Sequence, residues 1–228
     1  MTDASPQAIR IAIDDATQVS GLLQVPRAAR ACYVFAHGAG AGMTHPFMAD
    51  VAAGLAARGI ATLRYQFVYM ERGSKRPDSP PLAHATVRAA VAQAARLAPG
   101  LPLFAGGKSF GGRMTSQAQA SAPLPGVCGL VFLGFPLHPP KQPSDARAAH
   151  LAQIEIPALF LQGTRDELAD MQLLIPVVKS LEARATLVSF ADADHSFHVP
   201  ARSGRKDAEV LAELYDAAAG WMDGITKI

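Results

Sequence analysis

Short apolar segments alternate with longer segments of helical periodicity along almost the whole chain, and this alternation constrains the fold most strongly. Strands that alternate with helices form βαβ units, which predicts an α/β protein: a three-layer α/β/α sandwich around a mostly parallel, twisted sheet. The predicted strands are Arg10–Ile13, Leu22–Val25, Ala31–Ala36, Ile60–Arg64, Leu103–Ala105, Gly129–Leu133, Ala158–Leu161 and Thr186–Phe190. The predicted helices are Pro46–Arg58, Ala83–Leu97, Phe110–Ala120, Asp170–Ala183 and Arg205–Trp221.

The first two predicted strands are joined by the segment DDATQVSG, which carries no helical pattern. Strands joined by so short a connection pair antiparallel, so we expect an antiparallel N-terminal edge on the sheet. No repeat, linker or low-complexity tract divides the 228 residues, and a single domain over 1–228 is expected. The segment 134–157 is too short to form a large helical lid. Any functional site near this segment should therefore be open to solvent.

Composition argues against several classes of function. The formal net charge is only +2 and no run of Lys or Arg forms a stripe, so neither nucleic acid nor an anionic membrane is expected as a partner. No signal-peptide pattern and no membrane-spanning apolar stretch occurs. Cys32 and Cys128 lie in apolar segments, and we expect buried, reduced thiols rather than a disulfide. A cytoplasmic protein of unknown oligomeric state is therefore predicted.

Two glycine-rich segments could bind nucleotides, but neither has the required spacing. A phosphate-binding loop ending at GKS would need glycine at position 102, where Pro102 stands. The segment HGAGAGM (37–43) would need a glycine at 43 or 45 to form a dinucleotide-binding turn, and Met43 and His45 occupy these positions. No cofactor is expected, and no metal site either, since the zinc motif H-E-x-x-H is absent.

The segment FAGGKSFGGRM (104–114) instead fits a turn that carries a serine nucleophile. Ser109 lies between the strand Leu103–Ala105 and the helix that begins at Phe110, and glycines stand two residues before and after it. Small residues at Gly107 and Gly111 allow the chain to reverse tightly while the serine is held in a strained conformation. The sequence therefore predicts that the Ser109 hydroxyl points out at the carboxyl edge of the sheet.

A serine nucleophile needs a base and an acid that orients the base, and both should follow later strands in that architecture. Asp166 follows the strand in ALFLQGTRDE, and His195 follows the strand in TLVSFADADHSFH. Alternatives remain open for both. Asp166 could serve only as a helix N-cap with Asp170 as the acid, and His198 could replace His195 as the base.

An acyl-transfer site also needs backbone N–H groups directed at the developing oxyanion. Phe110, at the start of a helix, and Ala39, in the glycine-rich loop after the strand Ala31–Ala36, are the predicted donors. The residues predicted to contact substrate are Gly38, Gly40, His45 and Met70. His45 could instead simply start the helix before Pro46.

Two basic features have less specific interpretations. Lys108, directly before the serine, is expected to serve in packing or in a surface contact. The cluster Arg72, Lys75 and Arg76 either attracts an anionic substrate or forms a solvated loop, and the solvated loop is preferred because isolated surface charges contribute little.

The segments Gly107–Gly111 and Gly163–Asp166, together with His195, resemble the nucleophile turn, acid turn and histidine loop of the α/β-hydrolase superfamily, over nearly the whole chain. The small, lid-poor size is similar to the dienelactone-hydrolase-like group. FAHGAGAGMTHPFM, YMERGSKRPD and GKSFGGRM resemble a small bacterial branch that is similar to eukaryotic hydrolase-like proteins expressed in testis and found in chromatin complexes.

The resemblance implies a Ser109–Asp166–His195 triad that hydrolyses an acyl bond through an acyl-enzyme. Dienelactone hydrolases use a cysteine nucleophile, so the serine makes lactone substrates doubtful. His37-Gly-Ala-Gly replaces the HGGG of lipases, which leaves the second oxyanion donor open.

We therefore expect a cofactor-free serine hydrolase, an esterase or thioesterase for a small acyl compound. The alternatives are a hydrolase-like interaction module with little or no activity, or formation of peroxyacids by the same three residues.

Overall fold

The computed structural model describes residues 5–226, and within them the chain forms one mixed sheet with helices on both faces. The strands are β1 Gln7–Ala12, β2 Gln18–Gln24, β3 Ala31–Ala36, β4 Ile60–Tyr65, β5 Leu103–Lys108, β6 Val127–Leu133, β7 Ala158–Gly163 and β8 Ala185–Phe190. The α-helices of this region are α1 Pro46–Ala56, α2 Val68–Glu71, α3 Pro80–Leu97, α4 Phe110–Ser121, α5 Met171–Ser180 and α6 Asp207–Thr226.

The eight strands are arranged in the order β1-β2-β4-β3-β5-β6-β7-β8. β2 pairs antiparallel with both β1 and β4, whereas the other neighbours pair in parallel. The predicted α/β architecture and its antiparallel N-terminal edge are thus confirmed. β5, the strand that leads into the predicted nucleophile, lies between β3 and β6 in the middle of the sheet.

Side chains of β3 show how the sequence fills both faces of the sheet. Cys32, Val34 and Ala36 point into a core that also contains residues of α3, α4 and α5. Tyr33 and Phe35 point to the opposite face, where they pack with α1 and α6. A strand that is buried on both faces has an unbroken apolar sequence. This is why the predicted segment and the observed strand β3 have the same limits.

Several element boundaries differ from the predicted ones, mostly for local reasons. α3 begins at Pro80 rather than Ala83, because proline is tolerated in the first turn of a helix, where its missing N–H would have no partner. α5 begins at Met171 because Asp170 is its N-cap: the carboxylate accepts a hydrogen bond from Gln172 N. The short helix α2 and a 3₁₀-helix over Ala146–Gln153 were not predicted.

The cysteine prediction was half right. Both thiols are free, but only Cys32 is buried, whereas Cys128 is partly exposed near the start of β6. The 3₁₀-helix is the regular element found in the segment 134–157, so in the described part of the chain no helical layer covers the carboxyl edge of the sheet.

No helix within residues 5–226 combines the length and apolar character needed to cross a bilayer.

Gly106 in β5 provides a test of how closely the backbones of β5 and β6 approach each other. A Cβ atom there would lie 1.9 Å from the carbonyl oxygen of Val131 on β6, and the residue has φ of +154°. We expect Gly106→Ala to lower the free energy of unfolding by about 3 kcal/mol or more, because backbone atoms of a paired strand cannot move aside. Urea denaturation of the purified variant measures this change.

Gly220→Ala is the matched control, because a Cβ atom on this residue of α6 would meet nothing within 4 Å. Alanine forms helix more readily than glycine, so this variant should be unchanged or more stable by up to about 1 kcal/mol. Equal losses for the two glycines would contradict the close approach inferred for β5 and β6.

Candidate active site

The carboxyl ends of four parallel strands bring the predicted site residues to one edge of the sheet. Ser109 follows β5, Asp166 lies in the loop after β7, and His195 lies in the loop after β8. The glycine-rich loop with Ala39 follows β3, which is the neighbour of β5 in the sheet. Residues that are far apart in sequence therefore meet at one place because parallel strands end at the same edge.

Ser109 adopts the strained turn that the glycine spacing predicts. Its backbone has φ of 50° and ψ of −116°, in a region that L residues rarely occupy. A Cβ atom on Gly107 would lie 2.4 Å from the carbonyl oxygen of Ala36, and one on Gly111 would lie 2.6 Å from the same atom. Only glycine lets β3, β5 and α4 approach so closely around the serine.

The hydroxyl of Ser109 is not used to hold the helix that follows it. Ser109 occupies the N-cap position of α4, where a serine side chain usually accepts a hydrogen bond from a backbone N–H. Its side chain makes no capping bond here. The backbone N–H of Ser109 donates to the carbonyl oxygen of Leu133 at 3.1 Å, which fixes the turn to β6. The side-chain oxygen of Ser109, Oγ, is therefore available to other partners.

Asp166 and His195 form a direct hydrogen bond, with 2.7 Å between Asp166 Oδ2 and His195 Nδ1. The carboxylate is fully buried, whereas a quarter of the imidazole side chain is exposed. Gln162 Nε2 donates to Oδ2 at 2.5 Å, and Leu168 N donates to Oδ1 at 2.8 Å. Both carboxylate oxygens thus accept hydrogen bonds, which offsets part of the cost of burying the charge. Because Nδ1 of His195 is used in this bond, its Nε2 is available to a molecule bound in the adjacent cleft.

The loops that carry Asp166 and His195 are joined by their backbones. Thr164 N donates to Phe190 O at 3.0 Å, and Arg165 N donates to Ala193 O at 2.9 Å. Gly163 allows this contact, because a Cβ atom there would lie 2.4 Å from the carbonyl oxygen of Ala193. The carboxylate–imidazole pair is therefore positioned by two loops that are bonded directly to each other.

The alternative acid and base have other partners in the structure. Asp170 caps α5, so the N-cap role considered for Asp166 belongs to Asp170. His198 pairs with Asp207, with 2.8 Å between Nδ1 and Oδ2, and this carboxylate raises the pKa of the exposed imidazole. Neither alternative is connected to the Asp166–His195 pair by a hydrogen bond within residues 5–226.

His37 fixes the loop that carries the predicted second oxyanion donor. Its Nδ1 lies 2.7 Å from the carbonyl oxygen of Gly38, and Phe67 N donates to its Nε2 at 3.1 Å. Burial lowers the pKa of His37 to about 4, so the ring is neutral at pH 7 and Nδ1 carries the proton. Because a trans peptide holds C=O and N–H on opposite sides, a fixed Gly38 carbonyl also fixes the direction of the Ala39 N–H.

Two clefts meet at Ser109. The first, which we call the His195 cleft, has a volume of about 560 Å³ and is bordered by residues that include Gly38, His45, Lys108 and His195. The second, the Arg113 cleft, has a volume of about 430 Å³ and is bordered by residues that include Phe110, Arg113 and Arg147. Ser109, Ala39 and Leu168 border both.

The serine therefore lies where a bound molecule could extend in two directions. Among the described residues no hydrogen bond joins Ser109 to His195, although both side chains border the same cleft. Catalytic hydrogen bonds are often long in unliganded proteins.

The substrate residues predicted from the sequence divide between these clefts and the core. Gly38 and His45 border the His195 cleft, and His45 also caps α1; contact of either residue with substrate stays a prediction. Gly40 and Met70 border neither cleft. Gly40 N donates to Tyr69 Oη at 2.9 Å, and Met70 packs beside Gly42 against the core.

Lys108 is a packed residue and not a surface contact. Its Nζ donates to the backbone oxygen of His195 at 2.6 Å and lies within 6 Å of the ring centroids of Phe47 and Phe197. Burial lowers its pKa to about 8, and the nearby carboxylates of Asp166 and Asp194 oppose this shift. The residue before the serine thus ties the histidine loop to the nucleophile turn.

Sequence reasoning missed two residues that shape this site, Gln162 and Arg113. Lys108 was expected in packing or in a surface contact, but its hydrogen bond to the histidine loop was not predicted. A signal was available only for Arg113, which stands four residues after Ser109 and therefore on the same face of the helix. The basic cluster considered for anion binding, Arg72, Lys75 and Arg76, is exposed and borders neither cleft.

Comparison with known proteins identifies the fold. Residues 29–223 match a family model described as "Alpha/beta hydrolase domain". Dienelactone hydrolase from Anabaena variabilis ATCC 29413 superposes with a TM-score of 0.76 and 21% identity, over 97% of this chain and 98% of that chain. A serine hydrolase without a lid from Xanthomonas campestris gives 0.74 and 20%, over 95% of each chain.

Est1E from Butyrivibrio proteoclasticus also shares the fold, with a TM-score of 0.74 and 15% identity over 97% of this chain and 99% of that chain. The α/β-hydrolase fold expected from the sequence is thereby confirmed, and dienelactone hydrolase shares that fold. The resemblance to the branch related to testis-expressed proteins stays a prediction.

Lys108 should make stability depend on pH in the alkaline range. Its pKa is about 8 in the folded protein against 10.5 for the free side chain, so between these values the unfolded chain holds a proton that the folded protein has released. Stability rises with pH wherever the unfolded state binds more protons. From pH 7.5 to pH 10, wild type should therefore gain on the order of 2 kcal/mol over Lys108→Met.

Urea denaturation of both proteins at the two pH values measures this difference. Lys75→Met is the control, because the exposed ammonium of Lys75 stays in water in both states. If the gain in unfolding free energy of wild type over Lys108→Met were as small as its gain over Lys75→Met, the ammonium of Lys108 would not be desolvated in the folded protein.

Proposed function

Because this chain belongs to the α/β-hydrolase domain family, we propose that it is a serine hydrolase that cleaves a small acyl ester or thioester. The family and its structural neighbours support a hydrolase. The observation that carries the finer proposal is the buried Asp166–His195 hydrogen bond, which presents Nε2 of His195 to the cleft bordered by the strained Ser109.

In the proposed reaction, Ser109 Oγ attacks the acyl carbon while Nε2 of His195 takes the hydroxyl proton. The carbonyl π electrons move to the oxygen and form a tetrahedral oxyanion. His195 then returns the proton to the leaving oxygen or sulfur, the bond to the leaving group breaks, and an acyl-serine remains. Water attacks this ester by the same route in reverse, which releases the acid and restores the serine.

Asp166 stabilises the imidazolium and fixes the tautomer of His195, because its Oδ2 accepts from Nδ1. The residue need not be protonated in any step. Gln162 holds the same carboxylate oxygen from the other side, which limits rotation of the carboxylate during the reaction.

Two backbone N–H groups are proposed to stabilise the oxyanion. Phe110 N lies at the start of α4, where the helix dipole favours negative charge. Ala39 N is directed by the peptide whose carbonyl accepts from His37. Within residues 5–226 no hydrogen bond from either N–H is found, so both are available to a ligand.

The two clefts suggest how a substrate lies across the serine. His195 must reach the leaving atom to protonate it, so the leaving group is assigned to the His195 cleft. The acyl part then extends into the Arg113 cleft. The clefts have volumes of about 430 and 560 Å³, which suits a small-molecule substrate.

No nucleic-acid, membrane or cofactor partner is part of the proposal, and a cytoplasmic location stays a prediction.

Covalent labelling tests the nucleophile. We expect a fluorophosphonate probe to label native protein at Ser109, and labelling to be lost in Ser109→Ala and in heat-unfolded protein. His195→Ala should label at least about 100-fold more slowly, because the hydroxyl has lost its base. Intact-protein mass spectrometry and peptide mapping provide the measurement.

Turnover separates the enzyme from an interaction module. Wild type should hydrolyse short 4-nitrophenyl esters at least about 1,000-fold faster than Ser109→Ala. Native protein that neither labels nor exceeds Ser109→Ala in turnover would favour a hydrolase-like module with little or no activity.

A pair of substitutions at His37 tests the oxyanion loop. The amide of asparagine falls where Nδ1 of histidine lies, whereas the amide of glutamine falls where Nε2 lies. His37→Asn can therefore retain the bond to Gly38 O, and His37→Gln can retain only the bond from Phe67 N. We expect kcat to fall about 10- to 100-fold in His37→Gln and clearly less in His37→Asn, with KM little changed.

Steady-state kinetics and thermal denaturation are measured on both variants. Equal kcat values at equal stability would show that the Gly38 peptide needs no fixing by His37.

A further inference from the structure

An unpaired guanidinium lies beside the proposed nucleophile. Arg113 borders the same cleft as Ser109 and Phe110, and its Nε is buried without a hydrogen-bond partner. Burial lowers the pKa of Arg113, and the positive charge of Arg147 lowers it further. Among residues 5–226 no carboxylate forms an ion pair with either arginine.

Two other arginines of this protein have guanidinium groups that are paired with a carboxylate. Arg30 is held by Asp223 at 2.6 Å, and Arg58 is held by Asp216 at 2.6 Å. Both of these lie away from Ser109, in a depression on another part of the surface. Arg64 also has a buried Nε without a partner, but its Nη1 donates to Met43 O at 3.2 Å, whereas no side-chain hydrogen bond of Arg113 is found within residues 5–226. Because a partly buried charge costs free energy unless it is paired, the guanidinium of Arg113 beside Ser109 calls for a partner from outside the chain.

The position of Arg113 on α4 directs it toward the reacting atoms. Its backbone N–H donates to the carbonyl oxygen of Ser109 at 3.1 Å, so the two residues lie one helical turn apart on one face. Side chains of a helix lean toward its N-terminus, which is the end that carries Ser109. The guanidinium carbon lies 5.9 Å from the ring centre of Phe110, the residue whose backbone N–H is a proposed oxyanion donor.

The charges around the cleft determine which ligand would balance it. Arg113 and Arg147 contribute two positive charges, and Asp78 contributes one negative charge while accepting a hydrogen bond from Tyr69 N. Nearby His150 has its pKa lowered to about 4 by burial and by Arg113, so it is uncharged at pH 7. The remaining charge of +1 is balanced by a carboxylate, whereas a dianionic phosphate would exceed it.

We propose that the substrate carries a carboxylate on its acyl part, held by Arg113 and Arg147 while Ser109 attacks the acyl carbon. This inference rests on the proposed function and narrows it to half-esters or half-thioesters of short dicarboxylic acids. A guanidinium binds a carboxylate through two parallel N–H···O bonds, which fixes the orientation of the acyl chain as well as its charge. Ser109 and Arg113 border the same cleft of about 430 Å³, which favours a short acyl chain between the two groups.

Two esters that differ by one methyl group test the specificity. Wild type should hydrolyse monomethyl succinate with a kcat/KM at least about 10-fold above that of dimethyl succinate, measured by titration of released acid. Arg113→Gln should lower this ratio about 10- to 100-fold, and Arg113→Lys should lower it less, because the charge remains without the paired donors. Arg96→Gln, at an exposed site on α3, should leave both rates unchanged.

A wild type that prefers the neutral diester, or an Arg113→Gln variant with an unaltered ratio, would overturn the inference. Either result leaves hydrolysis by Ser109 intact, so the two proposals fail separately.

A binding measurement covers the case in which neither ester is turned over. Isothermal calorimetry with Ser109→Ala should detect monomethyl succinate, and adding Arg113→Gln should weaken its binding at least about 10-fold. Binding without turnover in wild type would support the carboxylate site and contradict the hydrolase. Absence of binding, or equal binding of dimethyl succinate, would contradict the carboxylate site.

Discussion

The backbone contact between β3, β5 and the first turn of α4 is the constraint on which the rest of the site depends. Gly107 and Gly111 both face the carbonyl oxygen of Ala36, at distances where no side chain fits. This contact forces the chain to reverse at Ser109 and holds that residue at positive φ. The same contact places the start of α4 beside the loop after β3, so one packing requirement sets the serine and both proposed oxyanion donors together.

The parts of the site that follow strand ends could be predicted from the sequence. We could predict that Ser109, Asp166 and His195 lie at one edge of the sheet, because apolar segments mark strands and the carboxyl ends of parallel strands share an edge. The inner strands were predicted well for the same reason. The short helix α2 and the 3₁₀-helix over Ala146–Gln153 have too few residues to show a period, so they could not be predicted.

Residues whose role depends on contacts between distant segments could not be found in this way. Gln162 looks like one polar residue in an apolar strand, and only the fold shows that it holds Asp166. Lys108 looks like a variable position, yet it crosses to the backbone of His195, 87 residues later. Met70 was predicted at the substrate site, but its partly buried side chain packs against the core and borders neither cleft.

The open carboxyl edge of the sheet has a consequence for the fate of an acylated serine. Within residues 5–226 no helical layer closes over the two clefts, so bulk solvent would reach the covalent intermediate. Any small nucleophile dissolved at high concentration, such as an alcohol or hydrogen peroxide, would then compete with water for the acyl group. The ratio of acid to transfer product would then depend on the concentration and reactivity of each acceptor in the medium.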